Sequence, residues 1–299
     1  MLIEVMFLAA ALIGTAVGGW IDLKTTEVPD IVPLSMVGAG LVLHIANTFL
    51  TGSFQGIISA FAVGALYLAI GYIFYYTGMW GEADVLLLAA VGFLIPQPLS
   101  FFNMAGLGSM YPLIFILNTF IVGGVYSAIY TMVLAFMRPI VFSNFWKDIV
   151  GYKKKMGVFI AAITLGFLVL SFGISWFFNV NVPPEFMLGQ IALFLPMAFF
   201  MILVYRFALT LDRTVFRMKV PVSKLREGDV LAEDVKLQGK TLSGKLFIGL
   251  TGEQVEMIRK ERKYVDIKEG IRYGPTFFFT LLYTWFFGSS LLAIFMLAI

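Results

Sequence analysis

Two aspartates stand where an apolar chain should avoid them. Asp22 closes the first long apolar run, in Gly18-Gly19-Trp20-Ile21-Asp22-Leu23-Lys24, and Asp84 opens another, in Gly81-Glu82-Ala83-Asp84-Val85-Leu86. A carboxylate in or at the edge of a membrane span costs about 2.5–3.5 kcal/mol on insertion scales, so two such groups at one membrane face point to a function. Two carboxyls at close range cannot both ionise and therefore share a proton. The ionised member can take a proton from water as it attacks a peptide carbonyl, while the protonated member gives its proton to the carbonyl oxygen. Such a pair hydrolyses a peptide bond without a side-chain nucleophile and without a metal.

Other hydrolytic chemistries lack their residues. The chain has no cysteine, which removes disulfides, thiol nucleophiles and thiolate metal sites. Its one histidine, His44, lies in an apolar run and reads as a packing or hydrogen-bonding residue rather than a triad member or metal ligand. No cofactor, metal or nucleic-acid partner is expected.

The elements that must position the pair are membrane helices. Of 299 residues, 60% are hydrophobic and 13% charged, against about 25% charged in soluble domains. The apolar runs are continuous over about 20 residues rather than alternating, so helices are expected and not a barrel. The sequence predicts eight spans, near 3–21, 31–50, 54–77, 84–102, 111–137, 157–179, 186–208 and 275–298. The first is read as a retained span, because it lacks a basic start and a small-residue cleavage site. Gly14 and Gly18, and Gly56, Ala60 and Gly64, form small-xxx-small patterns that let helices approach closely.

The expected fold class is thus an all-α polytopic membrane protein of about eight transmembrane helices, with a small cytoplasmic α+β insert before the last. Residues 1–210 form the membrane domain with seven spans and the catalytic core, 211–273 the module, and 274–299 the final helix. In the module, 229–235, 245–248 and 264–268 read as strands. Thr251-Gly252-Glu253-Gln254 is a capping-box pattern opening a helix through about Arg262.

Charge orients the molecule. With alternating spans, all 21 Lys and Arg residues fall on the side of the loops that follow odd-numbered spans. That side is the cytoplasm by the positive-inside rule, which leaves both termini outside. Asp22 then ends the first helix and Asp84 begins the fourth at the same cytoplasmic depth.

These residues resemble the archaeal prepilin and preflagellin peptidases, membrane aspartyl proteases of the type IV prepilin peptidase group. The group carries a first aspartate followed by a basic residue and then Ile/Val-Pro. Here that is Asp22-Leu23-Lys24-Thr25-Thr26-Glu27-Val28-Pro29-Asp30, with Lys24 and Pro29 in the motif positions. Its second aspartate ends Gly-x-Gly-Asp; here Gly81-Glu82-Ala83-Asp84 matches Gly81 and departs at Ala83, and Leu86 stands where many members have lysine. The resemblance implies an aspartic endopeptidase of the cell membrane with Asp22 and Asp84 catalytic. Its partners would be the lipid bilayer and precursors with a basic leader and an apolar helix, pilin-like or archaellin-like. Glu27, Asp30 and Glu82 would meet the leader's basic residues. The absence of cysteine implies cleavage alone, without the zinc-binding insert and methylation activity of bacterial relatives. A transporter or channel using membrane carboxylates, or an inactive homologue acting in assembly, are the alternatives. Oligomeric state is left open.

Overall fold

The structure is a computed structural model that describes residues 2–102, 104, 108–178, 183–237, 239–244 and 249–288. Helices dominate: α1 (Leu2–Thr25), α2 (Ile31–Thr51), α3 (Gln55–Tyr76), α4 (Glu82–Leu94), α5 (Tyr111–Met137), α6 (Ile140–Phe178), α7 (Pro184–Thr214), α8 (Gly252–Glu261) and α9 (Pro275–Phe287). Among the described residues, five short strands lie between α7 and α9: β1 (Arg217–Pro221), β2 (Val230–Leu231), β3 (Val235–Leu237), β4 (Lys240–Leu242) and β5 (Tyr264–Lys268). Among the described residues, six helices are long and apolar enough to cross a membrane: α1, α2, α3, α5, α6 and α7. The protein is therefore a mostly helical membrane protein with six candidate membrane helices among the described residues and a small sheet region near its C-terminus.

Packing divides the protein into two compact units, Met1–Tyr130 with Lys219–Ile299, and Thr131–Met218. The first unit is organised around α4. Val85, Leu87, Leu88, Ala90, Val91, Phe93 and Leu94 are all buried, so α4 is enclosed on nearly every side, as a uniformly apolar helix requires. Small residues on its neighbours admit it. A Cβ on Gly71 of α3 would stand 2.7 Å from Val85 Cγ1, and one on Gly18 of α1 would stand 3.1 Å from Leu87. His44 is buried, its Nε2 3.0 Å from the Phe93 carbonyl oxygen and its ring 4.5 Å from that of Phe7, the packing role expected for it.

α4 is a helix for only 13 residues, about 20 Å, and not over the whole expected span 84–102. Pro96 and Pro98 end it, since neither can donate to a helix and each disfavours helical geometry in the residue before it. The backbone continues without helix to Ser100, whose N–H and Oγ donate to the two Glu4 carboxylate oxygens at 3.2 and 2.6 Å. From Glu4 to Asp22, α1 rises about 27 Å, and α4 with its continuation runs back along that length. Ile95 and Leu99 are buried in protein, the condition under which non-helical backbone is tolerated at membrane depth.

A packing prediction follows at Gly92 of α4. A methyl there would stand within 3.0 Å of three atoms of the Tyr67 ring, which is fully buried and anchored by its OH on the Pro112 carbonyl at 2.9 Å. Gly92→Ala is expected to destabilise the protein by about 1–3 kcal/mol through overpacking. A thermal melt in detergent that matches wild type would contradict this.

In the second unit, α6 and α7 pair. Arg206 donates through Nε to Asp148 Oδ2 at 2.6 Å, joins Asp148 Oδ1 through Nη2, and lies 4.1 Å over the Tyr152 ring. α6 begins 17 residues before the expected span at 157, so Lys147 and Lys153-Lys154-Lys155 lie on a helix and not in a loop.

The sheet region has its own core of Leu225, Leu231, Val235, Leu242, Leu250, Val255, Ile258 and Val265. Strand order is β1-β5-β2, with β2 antiparallel to β5, and β3-β4 form a hairpin. The expected strand 229–235 is two strands, because Ala232-Glu233-Asp234 bends between β2 and β3. α8 opens on the expected capping box: Gln254 N–H donates to Thr251 Oγ1 at 3.4 Å and Thr251 N–H to Gln254 Oε1 at 3.0 Å. The expected strand 245–248 and the end of the last span, 289–298, lie outside the described residues.

Candidate active site

Asp22 owes its place to helical periodicity. The buried residues of α1 are Phe7, Leu8, Ala11, Thr15, Gly18, Gly19 and Asp22, one stripe at spacings of three and four. Asp22 is the last member of that stripe and is 8% exposed. α1 then stops. Thr26 adopts φ +62°, the left-handed conformation that usually caps a helix with glycine, and its N–H closes on the Asp22 carbonyl at 2.9 Å. For a β-branched residue this is strained by about 1–3 kcal/mol, stored four residues from Asp22. Val28 is buried in the core and the Pro29 carbonyl accepts from Val32 N–H at 3.0 Å, so the Val-Pro pair pins the turn and starts α2.

Asp84 is placed by a different device. Gly81 is the N-cap of α4 and Asp84 its third residue; Gly81 N–H donates to Asp84 Oδ2 at 3.0 Å. The spacing Gly-x-x-Asp is therefore that of a capping box, with the aspartate reaching back to the cap's own amide. Gly81 is exposed, and a Cβ there would meet only Asp84 Oδ2, at 3.6 Å. Ala83 packs against the core, where its methyl is accommodated. Leu86 is half-buried.

The two carboxyls lie within electrostatic reach of each other. Each has one oxygen, Oδ2, held by a backbone amide, from Gly274 at 2.8 Å for Asp22 and from Gly81 for Asp84. Among the described residues, neither Oδ1 accepts a hydrogen bond from the protein. Geometry of this kind fixes each carboxyl plane and leaves one oxygen of each for a water or a substrate carbonyl.

The remaining sequence candidates are more dispersed. Lys24 is exposed and lies 4.5 Å over the Trp20 ring. Glu27 is exposed and sits 4.0 Å from Arg226 Nη1. Asp30 is the exposed N-cap of α2 and makes no side-chain cap bond. Glu82 is exposed in the first turn of α4. Among the described residues, no hydrogen bond ties Glu27, Asp30 or Glu82 to either aspartate.

Sequence reasoning missed the segment before α9. Gly274 supplies the amide to Asp22, Arg272 Nη1 donates to the Leu23 carbonyl, and Tyr273 OH donates to the Thr119 carbonyl at 3.2 Å. The Tyr273 ring lies 5.8 Å from Trp80, directly before Gly81. Burial pushes the Tyr273 phenol well above its ordinary pKa and the Asp84 charge adds to that, so it remains a neutral donor. The one sequence signal was Gly274-Pro275, a helix-start pattern at the edge of an apolar run.

Comparison with known proteins bears on this arrangement. Residues 6–128, which contain both aspartates, match the model of the type IV leader peptidase family, a family of aspartic-type leader peptidases. Over 89 residues the chain is 33% identical to a preflagellin peptidase of Methanococcus voltae, covering 30% of this chain and 38% of that one. Over 184 residues it is 25% identical to the prepilin peptidase EppA of Methanothermobacter thermautotrophicus, covering 58% of this chain and 48% of that one. The match thus spans less than half the length of these curated relatives. No solved structure matches. Residues 6–128 thus match the type IV leader peptidase family model, and parts of the chain are similar to archaeal preflagellin and prepilin peptidases.

Proposed function

We propose that the protein is a membrane-embedded aspartic endopeptidase that removes the basic leader of pilin-like or archaellin-like precursors at the cytoplasmic face. The observation that carries this reading is that Asp22 ends α1 and Asp84 opens α4 within the family-matched segment, on helices that meet where a Cβ on Gly18 would stand 3.1 Å from Leu87, each carboxyl having one oxygen held by a backbone amide. One carboxylate takes a proton from water as the water oxygen bonds to the scissile carbonyl carbon, and the other protonates the carbonyl oxygen. The carboxyl that took the water proton then gives it to the amide nitrogen while one hydroxyl of the tetrahedral intermediate returns its proton to the other carboxylate, so the C–N bond breaks, leader and helix are released and the dyad is restored.

The full topology belongs to this reading. α4 with its continuation to Ser100 is taken as the fourth span and α9 as the eighth, which puts both termini outside. Residues 1–210 act as the membrane domain, 211–273 as a cytoplasmic module and 274–299 as the last helix. Support for a shared face comes from Arg226 beside Glu27 and from Arg272 bonded to Leu23, both of which join the module to the end of α1. A leader–helix precursor matches that face, because its basic leader stays in the cytoplasm while its apolar helix enters lipid.

Glu27, Asp30 and Glu82 are proposed to select the basic leader. All three are exposed, so each pairing is worth about 0.2–1 kcal/mol and is screened by salt. Neutralising Glu27 and Glu82 together is expected to slow cleavage several-fold for a leader ending in lysine or arginine, and much less for one ending in glutamine. Raised salt should mimic the substitution. Equal losses for both leaders would remove these carboxylates from substrate recognition. The peptidase reading itself is tested by incubating purified protein with a synthetic leader–helix peptide and looking for release of the intact leader.

A further inference from the structure

The family match ends at residue 128, yet the amide that holds Asp22 comes from residue 274. Arg272-Tyr273-Gly274 joins the sheet region to α9, and each of the three residues is tied to a different part of the site. Gly274 N–H donates to Asp22 Oδ2 at 2.8 Å in a buried setting. Arg272 donates through Nη1 to the Leu23 carbonyl in the last turn of α1, and through Nη2 to Glu269 at 3.2 Å; its own carbonyl accepts from Tyr126 OH at 2.8 Å. Tyr273 reaches α5 through the Thr119 carbonyl and packs beside Trp80, next to the Gly81 cap.

Glycines make this approach possible from both sides. A Cβ on Gly19 of α1 would stand 2.8 Å from the Pro275 Cα, and a Cβ on Gly274 would stand 3.0 Å from both Cβ and Oδ2 of Asp22. Gly19 lies on the same stripe of α1 as Asp22, so the face that carries the carboxylate is also the face that receives the segment.

We infer that Arg272-Tyr273-Gly274 is a positioning segment for Asp22, by which the junction between the cytoplasmic module and α9 sets the geometry of the dyad. This rests on the peptidase reading of Asp22 and Asp84. An aspartate at a helix end has side-chain rotamers to choose from, and a directed backbone amide selects one. Misplacing a catalytic group by about 1 Å can cost about a hundredfold in rate, so the segment acts on turnover rather than on substrate affinity.

The test uses full-length Gly19→Ala, Gly274→Ala, Arg272→Gln and Arg272→Lys in proteoliposomes, with a leader–helix peptide as substrate. Gly19→Ala improves the helix propensity of α1 while striking the Pro275 backbone, so its effect reports on the segment. The expected result is a tenfold or greater fall in kcat for Gly19→Ala, Gly274→Ala and Arg272→Gln, with KM within about twofold. Arg272→Lys, which keeps a donor and the charge, should recover at least threefold over Arg272→Gln. Independently of activity, the Asp22 carboxyl infrared band, assigned by its loss in Asp22→Asn, should move in Gly274→Ala. Wild-type kcat in the three variants with an unmoved band would overturn the positioning role and leave the peptidase reading standing. A wild-type protein that cuts nothing would overturn the peptidase reading, and the infrared band would still decide whether the segment holds Asp22. Should either glycine variant fail to fold in a thermal melt, the Arg272 pair decides: equal kcat in Arg272→Gln and wild type overturns the inference.

Discussion

Asparagine at position 22 or at position 84 is expected to abolish leader cleavage, by at least a thousandfold, while expression and detergent stability stay near wild type. Asparagine is nearly the same size, and its side-chain oxygen can still accept from the Gly274 or Gly81 amide, so the backbone bonds at 2.8 and 3.0 Å survive. What is lost is a group that can carry and release the shared proton. General acid–base roles contribute about 10²–10⁴ each, and neither partner can perform both alone. Because the two act as one unit, the double variant should be no slower than either single. Serine- and cysteine-directed reagents should leave wild type untouched. Appreciable turnover in either single variant would exclude the shared-proton mechanism.

The orientation makes a second all-or-none prediction. With no native cysteine, single cysteines report without background. Ser53→Cys, in the exposed turn between α2 and α3, should label in intact cells with a membrane-impermeant thiol reagent. Ser143→Cys, exposed near the start of α6, and Lys260→Cys, exposed on α8, should label only after permeabilisation. The basis is that all 21 basic residues fall on one side when the spans alternate. Labelling of Lys260→Cys in intact cells would reverse the orientation and move the dyad to the outer face.

The legible parts of this protein are those with an energetic cost. Asp22 and Asp84 stand out because carboxylates are expensive beside apolar runs. The capping box at Thr251 was visible because its geometry needs only four adjacent residues. The extent of helices was less legible, because hydropathy and helix formation are separate properties. Lys153-Lys154-Lys155 interrupts an apolar run yet favours helix, so α6 extends through it. Pro96 and Pro98 lie within an apolar run yet end α4. The docking of Gly274 on Asp22 bridges 252 positions of sequence, and no local pattern encodes a contact of that separation. Gly19 could have hinted at it, but it reads as one more small residue in a helix that already offered Gly14 and Gly18.

The most direct measurement is mass spectrometry of a synthetic precursor, a short basic leader joined to an apolar helix, after incubation with purified protein in liposomes and a chelator. Wild type should yield two fragments cut at the leader–helix boundary, and Asp84→Asn should return the precursor whole. An intact precursor after incubation with folded wild-type protein, or the same fragments from Asp84→Asn, would contradict the assignment of Asp22 and Asp84 as a proteolytic pair.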